Sequence, residues 1–323
     1  MFDLDEDWVW DFWTIRDGDA HHLFFLHAPR SLGDPDLRHG NAAVGHAVSD
    51  DLRTWTRLPD ALAPQPAPAF DDLATWTGSC VRDPAGGWRM FTSGIARGEG
   101  GMAQRFGSAS SPDLVRWTRD DLVCEVDPRW YSVHDHRDET HWRDPFVVAG
   151  DSGWHLYLTA KASTDLWPGD HGNGVVGHLT SPDLTTWTVR PPLGGPTGRF
   201  DQLEVISLAE VDGRWALLFS CLAPEVVGAE QGSGGVWSVA VDGPGSPVDL
   251  GAAVLLTSED LYVGRVVDGP DGPALLAFQN RDAAGAFVGG VIDPVPVRWR
   301  ADGAGVELDP RADVPDRWRP HPG

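Results

Sequence analysis

The chain has 323 residues, long for one domain but within reach of a single large all-β unit, and its 41% hydrophobic content can supply a core. Its 48 acids against 25 Lys and Arg leave a net charge of −23, which repels nucleic acid and anionic membranes and favours a small neutral ligand. Met1 to Trp10 carries four acids and no basic residue, and no apolar run approaches the ~18 residues of a membrane helix, so the expectation is a cytoplasmic protein.

The first element along the chain is Trp8-Val-Trp10-Asp11-Phe-Trp13, which leads into a hairpin of Phe12–Ile15 with Leu23–His27 across Asp17-Gly18. A third strand, Ala43–Val48, precedes Ser49-Asp-Asp-Leu-Arg-Thr-Trp55-Thr. That last segment returns without gaps as Ser111-Pro-Asp-Leu-Val-Arg-Trp117-Thr and Ser181-Pro-Asp-Leu-Thr-Thr-Trp187-Thr, with starts 62 and 70 residues apart. Each copy reads as a tight turn into an outer strand, with its Trp as a core residue.

A hairpin precedes each later unit as well. Gly78–Arg82 pairs with Trp88–Thr92, Pro145–Val148 with Trp154–Thr159, and Val205–Glu210 with Trp215–Ser220. A more worn fifth unit consists of Leu261–Val267, Ala274–Gln279, Phe287–Ile292 and Val297–Arg300. Units of four antiparallel strands repeated five times predict one all-β domain over residues 1–323, a five-bladed β-propeller with blades near 8–60, 75–122, 141–190, 201–250 and 259–300.

In such a fold the first strand of every blade lines the central channel. Three of these strands carry an acid in similar register: Asp11 lies 11 residues before His22, Asp144 lies 10 before Trp154, and Glu204 lies 11 before Trp215. Converging carboxylates raise one another's proton affinity, and glycosidases need one protonated and one ionised carboxyl. A second Arg-Asp-Pro, at Arg82-Asp83-Pro84, falls inside a hairpin turn and reads as turn chemistry.

Cys80, Cys124 and Cys221 are odd in number and widely spaced, which predicts free thiols. His134, Asp135, His136, Asp138, Glu139 and His141 crowd one stretch, but in no zinc or calcium spacing, so an exposed loop over the pocket is expected and no metal. The glycine-rich stretches 98–101 and 232–235 lack a phosphate-binding context, and no cofactor is expected.

These residues resemble glycoside hydrolase families 32 and 68, the β-fructofuranosidase and levansucrase group, over nearly all of the propeller. Gly45-His-Ala-Val-Ser-Asp-Asp-Leu-Arg-Thr-Trp55, His22-Leu-Phe-Phe25, Trp76-Thr-Gly78-Ser79 and Trp142-Arg-Asp-Pro145 match family 32 motifs, while Val9-Trp10-Asp11-Phe-Trp13 is more similar to family 68. The resemblance implies Asp11 as nucleophile, Glu204 as acid/base and Asp144 with Arg143 as transition-state stabilisers. It also implies Trp10, Trp76, Ser79 and Tyr262 as sugar-pocket residues and a short fructoside as substrate. Val205-Ile206 stands where family 32 has Cys-Pro after the acid/base. An inverting arabinofuranosidase or xylosidase, a fructosyltransferase and a non-catalytic sugar-binding propeller are the alternative expectations. Oligomeric state is not legible.

Overall fold

Aromatic and β-branched residues fit a pleated, half-buried surface, and here they build strands throughout. The computed structural model describes residues 1–135, 138–165, 167–169, 171–228 and 232–320. Among the described residues, twenty strands form five four-stranded antiparallel sheets.

The first blade contains β1 (Asp7–Asp17), β2 (Ala20–Pro29), β3 (Ala43–Ser49) and β4 (Thr56–Leu62). The second contains β5 (Ala74–Arg82), β6 (Trp88–Ile95), β7 (Gln104–Ser111) and β8 (Thr118–Cys124). The third contains β9 (Trp142–Gly150), β10 (Gly153–Lys161), β11 (Gly174–Ser181) and β12 (Thr188–Arg190). The fourth contains β13 (Glu204–Val211), β14 (Arg214–Cys221), β15 (Gly235–Val241) and β16 (Val254–Leu255). The fifth contains β17 (Leu261–Gly269), β18 (Gly272–Gln279), β19 (Val295–Trp299) and β20 (Val306–Leu308).

The inner strands β1, β5, β9, β13 and β17 contact one another in turn, and β17 returns to β1, closing a ring around a central channel. The N-terminus seals that ring, because Phe2 and Val291 exchange two backbone hydrogen bonds of 2.8 Å. The outer strands face water and read accordingly: only Leu62 of β4 is buried, and the strand carries Pro59, which an edge strand tolerates.

Two expectations for the fifth blade are corrected. Residues 287–292 are not its regular third strand, and Val297–Arg300 is not its fourth. Pro294 and Pro296 lack the N–H a ladder needs. The chain therefore makes isolated bridges at Phe287 and Val291 and re-enters the sheet as β19, leaving β20 outermost.

The repeated turn also differs in one respect. Its fully buried residue is the leucine, Leu52, Leu114 or Leu184, held at φ of 61°, 63° and 65°. An aspartate imposes this left-handed conformation: Asp51, Asp113 and Asp183 each accept two backbone N–H groups two and three residues ahead. The Trp that follows is half-buried and lies edge-on to an aromatic of the preceding blade, Trp117 on Phe24 at 5.6 Å and Trp187 on Phe91 at 5.4 Å. The repeat thus glues one blade to the next.

Candidate active site

Every inner strand breaks register at the same level of the channel. The irregularities fall at Trp10/Phe12, Thr75/Gly78, Arg143/Phe146, Glu204/Ser207 and Tyr262/Arg265. A bulge re-aims side chains, and five at one level turn a set of strands into a set of inward-pointing groups. Gly78 belongs to this device, since a β-carbon there would collide with the Phe91 carbonyl oxygen.

Asp144, Val205 and Val263, the first bulged residues of their strands, have φ of 61°, 51° and 54°. That conformation is costly for a β-branched residue and persists only where surroundings enforce it. The enforcement comes from neighbouring blades, which take up the N–H groups that leave the ladder. Ser93 Oγ accepts from Asp144 N at 2.7 Å, Asp144 Oδ2 from Val205 N at 3.3 Å, and Ser220 Oγ from Val263 N at 2.9 Å.

The bulges sort the acids into two layers. Asp11 and Asp144 occupy bulges themselves, whereas Glu204 is the last paired residue before one, level with Arg143 and Tyr262. Glu204 is therefore not the positional equivalent of Asp144 that residue counting from the hairpin implied. The layer explains its contacts: Arg143 Nη2 donates to Glu204 Oε1 at 2.6 Å, and the Tyr262 hydroxyl donates to Oε2 at 2.5 Å. Arg143 Nε also lies 3.5 Å from Asp144 Oδ2.

A cavity of about 380 Å³ opens at this end of the channel. Asp11, Asp144, Glu204, Trp10, Trp76, Arg143 and Tyr262 all line it, so seven of the eight residues singled out in the sequence converge. Ser79 does not line it. Its hydroxyl accepts the Val147 N–H at 3.0 Å, and it lies towards the opposite end of the channel, beside Arg265.

Sequence reasoning missed Thr77, Arg38, His39, Gln104 and Gln202, which also line the cavity. Arg38 and His39 come from a short 3-10 segment, Pro35–Asn41, whose sequence has no catalytic pattern. Arg38 packs on the Phe287 ring at 3.9 Å, and Trp76 Nε1 donates to the His39 carbonyl at 2.8 Å, so one wall of the mouth is aromatic and basic. Gln202, two residues before Glu204, accepts from Arg143 Nη2 at 2.6 Å; the alternation of a strand was the available signal for it.

Burial dominates the electrostatics. It raises Asp11 from 3.8 to about 7, with a further upward push from the charges of Asp144 and Glu204 and a downward one from the Thr77 hydroxyl, which donates to Oδ2 at 2.5 Å. Burial also raises Asp144, although Arg143 and a Thr159 hydrogen bond oppose it. For Arg143 burial disfavours the charge, but Glu204, Asp144 and Glu139 outweigh that and raise it. Behind the acids, burial lowers Arg265 to about 10 against the pull of Asp144 and Asp11. Carboxylates interleaved with guanidiniums keep such a site foldable while leaving a proton to move.

Of the crowded loop before β9, Glu139 reaches the cavity wall, where it accepts from Gln104 Nε2 at 2.7 Å. His141 and Asp135 turn inward onto Arg143 and Lys161, and His134 lies 3.7 Å from Asp138 at the surface. His136 lies outside the described residues. Among the described residues no three His, Cys, Asp or Glu side chains are placed to hold a metal ion.

Known proteins share parts of this sequence and this fold. Similar curated proteins include β-fructofuranosidase 1 of Zea mays, 32% identical over 146 residues, which are 44% of this chain and 20% of that protein. Sucrose-6-phosphate hydrolase of Bacillus subtilis is 24% identical over 176 residues, 54% of this chain and 32% of that protein. These matches thus span a third or less of the relatives' own length. Extracellular sucrase of Zymomonas mobilis is 23% identical over 338 aligned positions, covering 90% of this chain and 79% of that protein. The fold is shared with inulosucrase from Halalkalicoccus jeotgali bound to kestose, at a TM-score of 0.73 and 19% identity over 97% of this chain and 90% of that one. Bacillus subtilis levansucrase has a TM-score of 0.70 and 13% identity over 98% of this chain and 88% of that one. The sequence model described as glycosyl hydrolases family 32 N-terminal domain matches residues 14–231, more than half of the chain, and the protein therefore belongs to that family.

Proposed function

We propose that the chain is a retaining β-fructofuranosidase that hydrolyses a short neutral fructoside. The observation that supports this most is the layered placement of the acids. Asp11 and Asp144 sit in the channel floor, and Glu204 stands above them, a quarter exposed and held by Arg143 and Tyr262. A fructosyl ring seated on the floor puts its anomeric carbon over Asp11 and its leaving oxygen beside Glu204. Glu204 protonates that oxygen as Asp11 attacks, giving a fructosyl ester and the free aglycone. Glu204, now ionised, takes a proton from water, which attacks the anomeric carbon and restores Asp11. Asp144 and Arg143 hold ring hydroxyls and offset the positive charge that grows on the ring in both steps. Trp10, Trp76 and the Arg38–Phe287 pair shape the mouth for the departing sugar.

Aryl β-fructofuranosides, α-arabinofuranosides and β-xylosides test the reading, with NMR of the first product formed. Release of β-fructose with no turnover of the other two supports it. An inverted first anomer, or turnover confined to a pentoside, overturns it.

The nucleophile must be ionised, so Asp11 at about 7 predicts that kcat/KM falls as pH drops below neutrality. Thr77→Val removes the hydroxyl that favours the ionised form, and the acidic limb should move up by about 1 pH unit, the worth of a charged hydrogen bond. A pH profile of kcat/KM for both proteins checks this; an unmoved limb shows that another group controls it.

A further inference from the structure

We propose that His141 is a positioning residue for Glu204, acting through Arg143, and that Asp135 and Lys161 hold its ring in the one tautomer able to do so. The catalytic half of this inference rests on the function proposed above; the tautomer stands on geometry alone.

Both terminal nitrogens of Arg143 are fully engaged. Nη2 donates to Gln202 Oε1 and Glu204 Oε1, both at 2.6 Å. Nη1 faces Gln104 Oε1 at 3.1 Å and His141 Nδ1 at 3.0 Å. A guanidinium has only donors, so Nδ1 of His141 must present its lone pair. Its proton is then on Nε2, which donates to Asp135 Oδ2 at 2.9 Å. The same carboxylate oxygen accepts from Lys161 Nζ at 3.1 Å. Lys161, from β10, is 1% exposed, and this carboxylate supplies its counter-charge.

The result is a continuous chain from the interior of the third blade to the cavity: Lys161, Asp135, His141, Arg143, Glu204. Burial and the two flanking cations, Arg143 and Lys161, push His141 down to about 3 despite Asp135, so the ring stays neutral across the working range. An imidazolium would have no lone pair to offer and would repel Arg143. A buried Lys–Asp pair contributes little net stability over an apolar pair of similar size. What this pair does contribute is a fixed acceptor behind the ring, as carboxylates do for other functional histidines.

Two near-isosteres separate the ring's two ends. In His141→Asn the amide oxygen stands where Nδ1 was and still accepts from Arg143. In His141→Gln the amide reaches the Nε2 position and Asp135 but leaves Arg143 without that acceptor. Turnover of an aryl fructoside with a poor leaving group should stay within about 3-fold of wild type for Asn. It should fall by about 30-fold or more for Gln and for Ala, in kcat more than in KM, because a misaligned acid costs rate before binding. Equal loss in all three variants, or loss in none, overturns the proposal. Side-chain nitrogen NMR of the resting wild-type protein between pH 6 and 8 should show a bare Nδ1 and a protonated Nε2. A protonated Nδ1 overturns the proposal whatever the protein hydrolyses. A wild type that shows the expected tautomer yet turns over no fructoside refutes the proposed function and leaves the Arg143 positioning standing.

Discussion

Asp11→Asn is expected to abolish turnover, by about 10⁴-fold or more, and at the same time to make the protein more stable above neutral pH. On the mechanism proposed above, activity is lost with the nucleophile, since an amide cannot form the ester. The gain in stability follows from linkage. Burial lifts Asp11 from 3.8 to about 7, so folding must place a disfavoured charge in the channel floor once the pH passes 7. Between these two values the folded state holds a proton that the unfolded state has lost, so stability falls as pH rises and stays low above the folded value. The difference amounts to at most about 4 kcal/mol above pH 7, and to less than half of that at pH 5. Asparagine removes the penalty, is nearly isosteric, and can still accept from Thr77 through its amide oxygen. Thermal melts of both proteins at pH 5 and pH 8 check this; the melting temperature of the variant should exceed wild type clearly at pH 8 and much less at pH 5. A variant less stable at both pH values would show that Asp11 folds as a well-compensated anion.

Glu204→Gln should produce the second large effect, a fall in kcat of about 10²–10⁴-fold on a fructoside whose aglycone is an alcohol. Glutamine can still accept from Arg143 at the position of Oε1, so the buried guanidinium keeps a partner there and the fold should survive. What is lost is the proton for the leaving oxygen. A fructoside of an acidic phenol leaves without that proton, so its first step should be nearly unaffected. The fructosyl ester on Asp11 should then accumulate, because water lacks its base, and mass spectrometry of the Asp11 peptide detects it. Equal losses for alcohol and phenol leaving groups would remove Glu204 from the acid role. An unmodified Asp11 would remove the covalent step.

How far this site was legible differs from residue to residue. Asp11 and Asp144 stand out in the sequence because each lies in a short, distinctive motif beside Trp or Arg. Glu204 was found by counting from the hairpin turn, but its level in the channel was misjudged by one residue: counting assumes an unbroken ladder, and every inner strand is bulged. The same motif-based logic placed Ser79 in the pocket, whereas residues past the bulge line the channel towards its far end. Thr77 could have been inferred from its neighbour Trp76 had the bulge been known. Arg38 could not, since nothing local links a 3-10 turn to Phe287, a residue some 250 positions away.

The fifth blade shows the same division. Its strands were visible as apolar runs, but two prolines relocated the outer pair, and the Phe2–Val291 closure joins the two ends of the propeller. From sequence the loop before β9 is an exposed, polar overhang. Its surface portion, His134 and Asp138, fits that, while Asp135 and His141 are drawn inside by Lys161 and Arg143, groups on separate strands.

By itself the sequence determined the architecture and singled out the three acids that line the cavity. Local turn chemistry and side-chain periodicity are short-range properties, so a thrice-written Ser-Pro-Asp-type turn and repeated hairpins suffice to specify blades and to put acids on their first strands. The tertiary structure decided which acid stands above which, how much each is desolvated, and which arginine meets which carboxylate. Those outcomes depend on bulges and on contacts between blades some 60 residues apart, where burial and Coulomb terms act only after the ring has closed.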